Sequence, residues 1–229
     1  GKGSTVHSHE LVGMRAFGTE SDQEMVQTVV DGRMADLTSD INLTNENHRL
    51  GAVQGIVLDA DGSTIYNYFT EFGISQPSEI TFSNAAVTTA GGMIPFIDNA
   101  IKRPMLRALG GVGMVRPAAL CGDTFFDWIT QHADVKDTYK NWVAAESLRE
   151  SKAFSVFSFG GVDWVNYRGT DDNSTVAIGV TKAKFFPTGV RGLFQEILSP
   201  GESMDMVGTA GQERYAQILR DPSGRNAFV

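Results

Sequence analysis

The chain has 229 residues, of which 41% are hydrophobic and 20% charged, with a formal net charge of −8. That apolar content is enough for a buried core, in one domain or two small ones, and it excludes the disordered and fibrous classes. The acidic balance, without any block of Lys or Arg, argues against a dedicated nucleic-acid binder.

Cys121 is the only cysteine, so no internal disulfide is possible, and a reducing compartment is the natural setting. The longest apolar runs fall far short of a membrane span. The first ten residues, GKGSTVHSHE, are polar. They carry neither the apolar centre of a signal peptide nor an initiator Met, and read as the start of a fragment or a processed product.

In chain order, residues 21–50 predict one long helix. Ser21 stands as N-cap with Glu24 at the capping-box spacing, and Asp22 and Glu24 complement the positive end of the helix dipole. Val30, Met34, Leu37, Ile41, Thr44 and His48 form one stripe in steps of four and three. Asp31, Arg33, Asp36, Ser39, Asp40 and Asn42 occupy the other face, and Gly51 is the expected stop. At 1.5 Å per residue such a rod measures roughly 45 Å, the length of a structural spine rather than of an ordinary enzyme helix.

Then comes Asp59-Ala60-Asp61-Gly62-Ser63, flanked by Ile56, Val57 and Leu58 before it and Ile65, Tyr66, Tyr68 and Phe69 after it. β-Branched and aromatic residues on both sides of a turn-rich core predict a β-hairpin over 55–70. A calcium loop counted from Asp59 fails, because its sixth position is Thr64 where Gly is needed and its twelfth is Thr70 where an acid is needed.

Residues 75–92 are small and polar and predict a connection containing a short strand, and a domain boundary. Met93–Leu109 has helical spacing through Ile97, Ile101 and Leu106, with Pro104 expected to kink or end it. Ala118–Cys121 reads as a strand. Asp123 is the expected cap of a helix carrying Phe126, Ile129, Val135 and Tyr139 towards Trp142. Phe154–Tyr167 and Thr175–Phe186 alternate as strands, with RGTDDNST as the turn between them. After Pro187 the chain is irregular, and Glu213–Leu219 is compatible with strand or helix. There is no internal repeat.

No residue set marks an active site, and no catalytic, cofactor-binding or metal-binding residue is assigned. His7 and His9, with Glu10, are a possible metal pair without a third ligand, so an exposed segment is the simpler reading. His48 belongs to the helix stripe. Cys121 ends an apolar strand, where a free thiol ordinarily packs, and nothing marks it as a thiolate activated by His132. GGVGMV, residues 110–115, fails as a dinucleotide loop because Arg116 stands where the third Gly belongs. The pair Asp171-Asp172 reads as solvated turn. A phosphate loop, a nucleophile elbow and zinc spacing are all missing.

Five segments resemble, in order, the major capsid proteins of tailed bacteriophages of the lambda E type. They are GMRAFGTES, HRLGAVQGIVLDADGSTIYNYFTEFG, ALCGDTFFDWITQHADVKDTYKNW, KAKFFPTGVRGLF and SPGESMDMVGTAGQERYAQ. The second and third are the most specific.

The resemblance implies an α+β chain with the Hong Kong 97-type capsid fold. In that fold a long spine helix and β-strands form a peripheral domain, beside a mixed α/β axial domain. On this mapping residues 1–80 are peripheral, with the spine helix at 21–50 and the hairpin at 55–70; residues 81–198 are axial; residues 199–229 return to the peripheral domain.

The implied function is structural: self-assembly into an icosahedral head around phage DNA. The implied partners are copies of itself in hexamers and pentamers, a scaffold, a portal and decoration proteins. No cofactor, no specific nucleic-acid binding and no membrane are expected. The place would be the virion, with the host cytoplasm during assembly. Family members carry an N-terminal arm and an extended loop before the spine helix and a final strand after ERYAQ, so the chain is expected to be the core of a longer protein. A prophage remnant or a cellular encapsulating shell of the same fold is the alternative reading. A small cytoplasmic hydrolase using Cys121 or a histidine is the rival from another class.

Overall fold

The computed structural model describes residues 3–7, 22–59, 61–82, 85–140, 156–170, 176–201, 204–216, 219–220 and 226–228. Ser21, His9, Glu10, Trp142, Phe154, the pair Asp171-Asp172 and Thr175 lie outside them. Helix and sheet are mixed, as the α+β expectation holds. The chain divides into two compact units, 1–45 with 195–229, and 46–194.

The unit built from both chain ends contains a three-stranded antiparallel sheet. Strand β1 (Thr5–His7) pairs with β9 (Asn226–Phe228), which pairs in turn with β8 (Leu219–Arg220). Sequence reading expected none of β1 or β9; strands of three residues carry too few alternations to stand out. Within this unit the Tyr215 hydroxyl accepts from the Gln212 N–H at 2.7 Å and lies 3.3 Å from the Ser199 carbonyl, and Arg214 Nη2 donates to Asn42 Oδ1 at 2.8 Å. These bonds organise a segment that contains the 3-10 helix Met204–Met206.

Helix α1 (Asp22–Gln54) is the predicted rod, extended by four residues. The stripe is real: Val30 is buried, and Met34, Leu37, Ile41, Thr44 and His48 are half-buried. On the opposite face Asp31, Arg33, Asp36, Ser39 and Asn42 are exposed, with Asp40 half-buried.

Gly51 does not stop the helix. It is a packing glycine: a Cβ there would lie 2.8 Å from the Ile56 carbonyl and 3.0 Å from Val57 Cα. The stop is Gly55, at φ 87°, whose N–H bonds the Ala52 carbonyl. Only a residue free to take positive φ turns the chain this sharply out of the helix.

The chain then forms the predicted hairpin. β2 (Ile56–Leu58) pairs antiparallel with β3 (Thr64–Asn67), with a register shift at Val57/Leu58. The turn is closed by Asp59 N–H to the Ser63 carbonyl at 2.8 Å, Gly62 N–H to the Asp59 carbonyl at 3.0 Å, and Ser63 N–H to Asp61 Oδ1 at 2.8 Å. Gly62 takes φ 83°. The second arm is shorter than expected. Tyr68 and Phe69 belong to a one-turn helix α2 (Tyr68–Glu71), because Asn67 Oδ1 accepts from the N–H groups of Phe69 and Thr70 and so caps a helix where the strand would have continued.

The expected strand within 75–92 is absent among the described residues. There the described chain is irregular, tied through Glu79 to Lys182, and the one-turn helix α3 is Ala85–Thr88. What the ITF segment supplies is Phe82, buried among aromatic rings.

Helical chain from 93 to 108 is interrupted but not ended. α4 (Met93–Ile97) runs into a π turn (Asp98–Lys102) and then α5 (Arg103–Ala108). Pro104 has no N–H to continue the α pattern, and the preceding turn widens so that Arg103 N–H reaches the Asp98 carbonyl. Met93, Ile97 and Ile101 are buried and Met105 packs beside them. Steps of four drift by about 40° each on an ideal α-helix. The wider turn takes up that drift, so Met105 faces the core and Leu106, expected inside, is 48% exposed.

The main sheet has the order β5-β6-β4-β7. β4 (Arg116–Cys121) is parallel to β6 (Val162–Asn166) and antiparallel to β7 (Ala183–Thr188); β5 (Val156–Phe159) is antiparallel to β6. β5 and β6 join through Gly160 and Gly161, both at positive φ, as a two-residue hairpin turn requires.

α6 (Asp123–Gln131) and α7 (Ala133–Lys140) follow β4 as two helices rather than the single one expected. His132 separates them with an extended backbone, and its Nδ1 accepts from Asp134 N–H at 3.2 Å, capping α7. Phe126, Ile129 and Val135 are buried as expected.

Asp123 is not the cap of α6. Gly122 holds that position, and Phe125 N–H bonds the Val180 carbonyl at 3.0 Å, so the crossing 179–180 backbone satisfies the helix end. A Cβ at Gly122 would run into that backbone. Val176 to Ile178 alternate in burial without being a strand, and Gly179 to Lys182 are exposed. Val176 and Ile178 pack with Leu50, Leu120 and Tyr167 on one side of β4, while Ala119 and Cys121 face the larger core with Trp164, Ile97 and Ile129 on the other. β4 is thus covered on both faces, as suits a central strand.

Candidate functional site

Cys121 and His132, the two residues a thiol mechanism would need, are each engaged structurally. Cys121 is fully buried, its Sγ contacts the Ala119 carbonyl at 3.8 Å, and burial pushes its thiol up to about 12. A thiol that stays protonated at neutral pH is no nucleophile. His132 uses both ring nitrogens on backbone: Nδ1 on Asp134 N–H, and Nε2, therefore carrying the proton, on the Val87 carbonyl at 3.1 Å. It is a clasp between α3 and the α6–α7 break and leaves no lone pair for a base.

His7 lies in β1 and His48 on the half-buried face of α1. Among the described residues no three His, Cys, Asp or Glu side chains are grouped to hold a metal ion, and no helix is long and apolar enough to cross a membrane. The 110–115 glycines lie between α5 and β4, so the loop feeds a strand instead of leaving one, the reverse of a dinucleotide loop.

The notable features are on the surface. The hairpin is a separate two-stranded sheet, and most of its outer side chains are apolar and exposed. Leu58, Ile65 and Tyr66 are uncovered on the strands; beyond them Phe72 is 72% exposed and Ile74 56%. Every residue from Glu71 to Thr81 is exposed. The backbone holding these side chains is well tied: Tyr68 N–H to the Gly55 carbonyl at 3.0 Å, and Ile74 N–H to the Phe69 carbonyl at 2.9 Å. A lone hairpin is marginal in water, and a contiguous exposed apolar face marks an interaction surface.

Along the sequence charge is segregated, although in space Asp98 pairs with Lys102 at 2.6 Å and Glu79 with Lys182. From Leu50 to Ile101 the chain has five acidic residues, Asp59, Asp61, Glu71, Glu79 and Asp98, and no basic one. From Asn99 to Gly122 it has four basic residues, Lys102, Arg103, Arg107 and Arg116, and no acidic one. This segregation was present in the sequence, but it gains meaning only once the apolar side chains beside the charges are seen to be exposed.

The profile of the family described as phage major capsid protein E matches residues 1–229. The chain is also similar to the major capsid protein of Pseudomonas phage KPP10, with 28% identity over 177 residues, covering 71% of this chain and 50% of that protein. The chain thus spans half the length of that relative. With a match across its whole length, this chain belongs to the phage major capsid protein E family.

Proposed function

We propose that the chain is a shell-building subunit of a phage head, with the Hong Kong 97-type fold, and that it works by repeating modest interfaces under icosahedral symmetry around packaged DNA. The observation that carries this reading is the family match over residues 1–229. It is supported by a 33-residue helix about 50 Å long, by a unit built from both chain ends, and by apolar side chains left uncovered in the single chain.

In this reading residues 1–80 and 199–229 are the peripheral domain and 81–198 the axial domain. The partners are other copies in hexamers and pentamers, with a scaffold, a portal and decoration proteins, and the working location is the virion after assembly in the host cytoplasm. Symmetry multiplies each weak contact, so exposed faces of ordinary size suffice. Electron microscopy of the full-length gene product, expressed with its scaffold, tests the proposal. Closed shells of uniform diameter are expected, and a product that stays monomeric under those conditions overturns it.

A further inference from the structure

We propose that the acidic, apolar hairpin face of one copy docks on the basic, apolar α5 face of a second copy, head to tail. The proposal rests on the shell-building reading above and names one contact within it.

The donor face consists of Leu58, Tyr66, Phe72 and Ile74 with Asp61 and Glu71, all exposed. The acceptor face consists of Leu106 and Val112, 48% and 52% exposed, with exposed Arg103 and Arg107. Both lie in the 46–194 unit, so a single folded unit carries both halves of the contact.

Three observations favour a second copy as the occupant. The charges are complementary: the donor face carries Asp61 and Glu71, and the acceptor face Arg103 and Arg107, while Lys102 beside them is already paired with Asp98. On the donor side Asp61 is engaged locally with Ser63 N–H, and on the acceptor side Arg103 with Asn99, so neither charge is spent on the opposite face of its own chain. Each face also sets apolar side chains beside its charges. Burying the apolar part supplies affinity, while the opposite charges steer encounter and reject like-charged approaches. Because the two faces differ, the contact is heterologous; repeated by rotation it closes rings, which a self-complementary patch would not do.

The test uses charge exchange in the full-length gene product. Glu71→Lys alone and Arg107→Glu alone are each expected to slow shell or ring formation about tenfold at low salt, with unchanged melting temperature. The double variant carrying both exchanges is expected to recover most of the wild-type rate. Disulfide trapping gives a second readout that needs no assembly rate: a Phe72→Cys, Leu106→Cys double variant is expected to form a covalent ladder under oxidation, while either single variant is not. Cys121 is buried and does not interfere.

If both charge variants assemble at the wild-type rate, or the double variant fails to recover, the contact is wrong while the shell reading stands. A single variant that crosslinks to itself overturns the head-to-tail geometry. A wild-type product that never assembles removes the shell reading and this contact with it.

Discussion

The Tyr167 hydroxyl donates to Glu46 Oε1 at 2.8 Å, joining the last turns of α1 to the chain leaving β6 across 121 positions of sequence. Burial, followed by the bond to Glu46 and its negative charge, raises the Tyr167 pKa well above the ordinary value of 10.0. In the unfolded chain the phenol ionises near that ordinary value, whereas in the folded chain it stays neutral. The resulting stabilisation is therefore complete below pH 10 and is lost as pH rises towards the folded value. Tyr167→Phe is expected to cost about 1.5 kcal/mol at neutral pH. It should also flatten the alkaline loss of stability, so urea midpoints taken on either side of the ordinary tyrosine pKa should fall less in the variant than in the wild type.

Asp134 holds the start of α4 from a distance in sequence. Its Oδ1 accepts from Gly91 N–H at 2.8 Å and its Oδ2 from Met93 N–H at 3.0 Å. Burial alone would raise its pKa, but the two N–H groups and the nearby His132 ring outweigh this and hold it below the ordinary 3.8. Its contribution is present above the ordinary carboxylate value and is lost as pH falls through the lowered folded one. Asp134→Ala is expected to destabilise by about 1–2 kcal/mol, as loss of a helix cap does, with Asp134→Asn costing less because it keeps one acceptor. Thermal melts at neutral and acidic pH check both: the gap between wild type and Asp134→Ala should narrow in acid.

Gly51 sits inside a helix, where replacement by Ala ordinarily stabilises by about 1 kcal/mol. Here the sign should reverse, because the new Cβ would stand 2.8 Å from the Ile56 carbonyl and 3.0 Å from Val57 Cα, both backbone atoms that cannot swing aside. Gly51→Ala is expected to lower the melting temperature, whereas Gly32→Ala, with nothing within 4 Å of its Cβ, should raise it or leave it unchanged.

Phe82 is the hub of the aromatic core. Its ring stacks on Phe185 at 6.0 Å and meets Phe96, Phe125, Trp128 and Trp164 edge-on. Phe82→Ala is expected to cost about 3–5 kcal/mol, the loss of transfer energy plus a cavity. Two of its neighbours are tryptophans, so chemical denaturation followed by their fluorescence reads both the lost stability and the altered native environment.

What the sequence determined by itself is what neighbouring residues can settle among themselves. The α1 stripe from Val30 to His48 follows the helical period over many turns, and the hairpin at Asp59–Ser63 follows from turn chemistry between β-formers; both stand in the structure. The burial of Phe126, Ile129 and Val135 was legible for the same reason, although the break at His132 was not; there the imidazole caps α7 through Asp134 N–H and also bonds the Val87 carbonyl 45 residues away. The family, too, was legible, because the resemblance lies in segments read in chain order. The packing of Cys121 at the end of an apolar strand was legible as well, whereas the partners of His132 were not, because they are backbone groups brought to it by the fold.

Tertiary structure alone decided the rest. Val176 and Ile178 alternate like a strand, yet they are not one: they pack against Leu50 and Leu120, because alternation records which side is covered and not what covers it. Gly51 looked like a stop and is a close-approach site, since the chain that needs the space returns only after the next turn. Asp123 looked like a cap and was displaced by the Val180 carbonyl, a partner 55 residues downstream of Phe125. Leu106 looked buried and is exposed, because a π turn before Pro104 rotated the face of the helix. At Gly122–Phe125 and at Val176 and Ile178 the deciding contact is distant in sequence, and a contact of that kind is selected by the packing of the whole core, not by the segment that receives it.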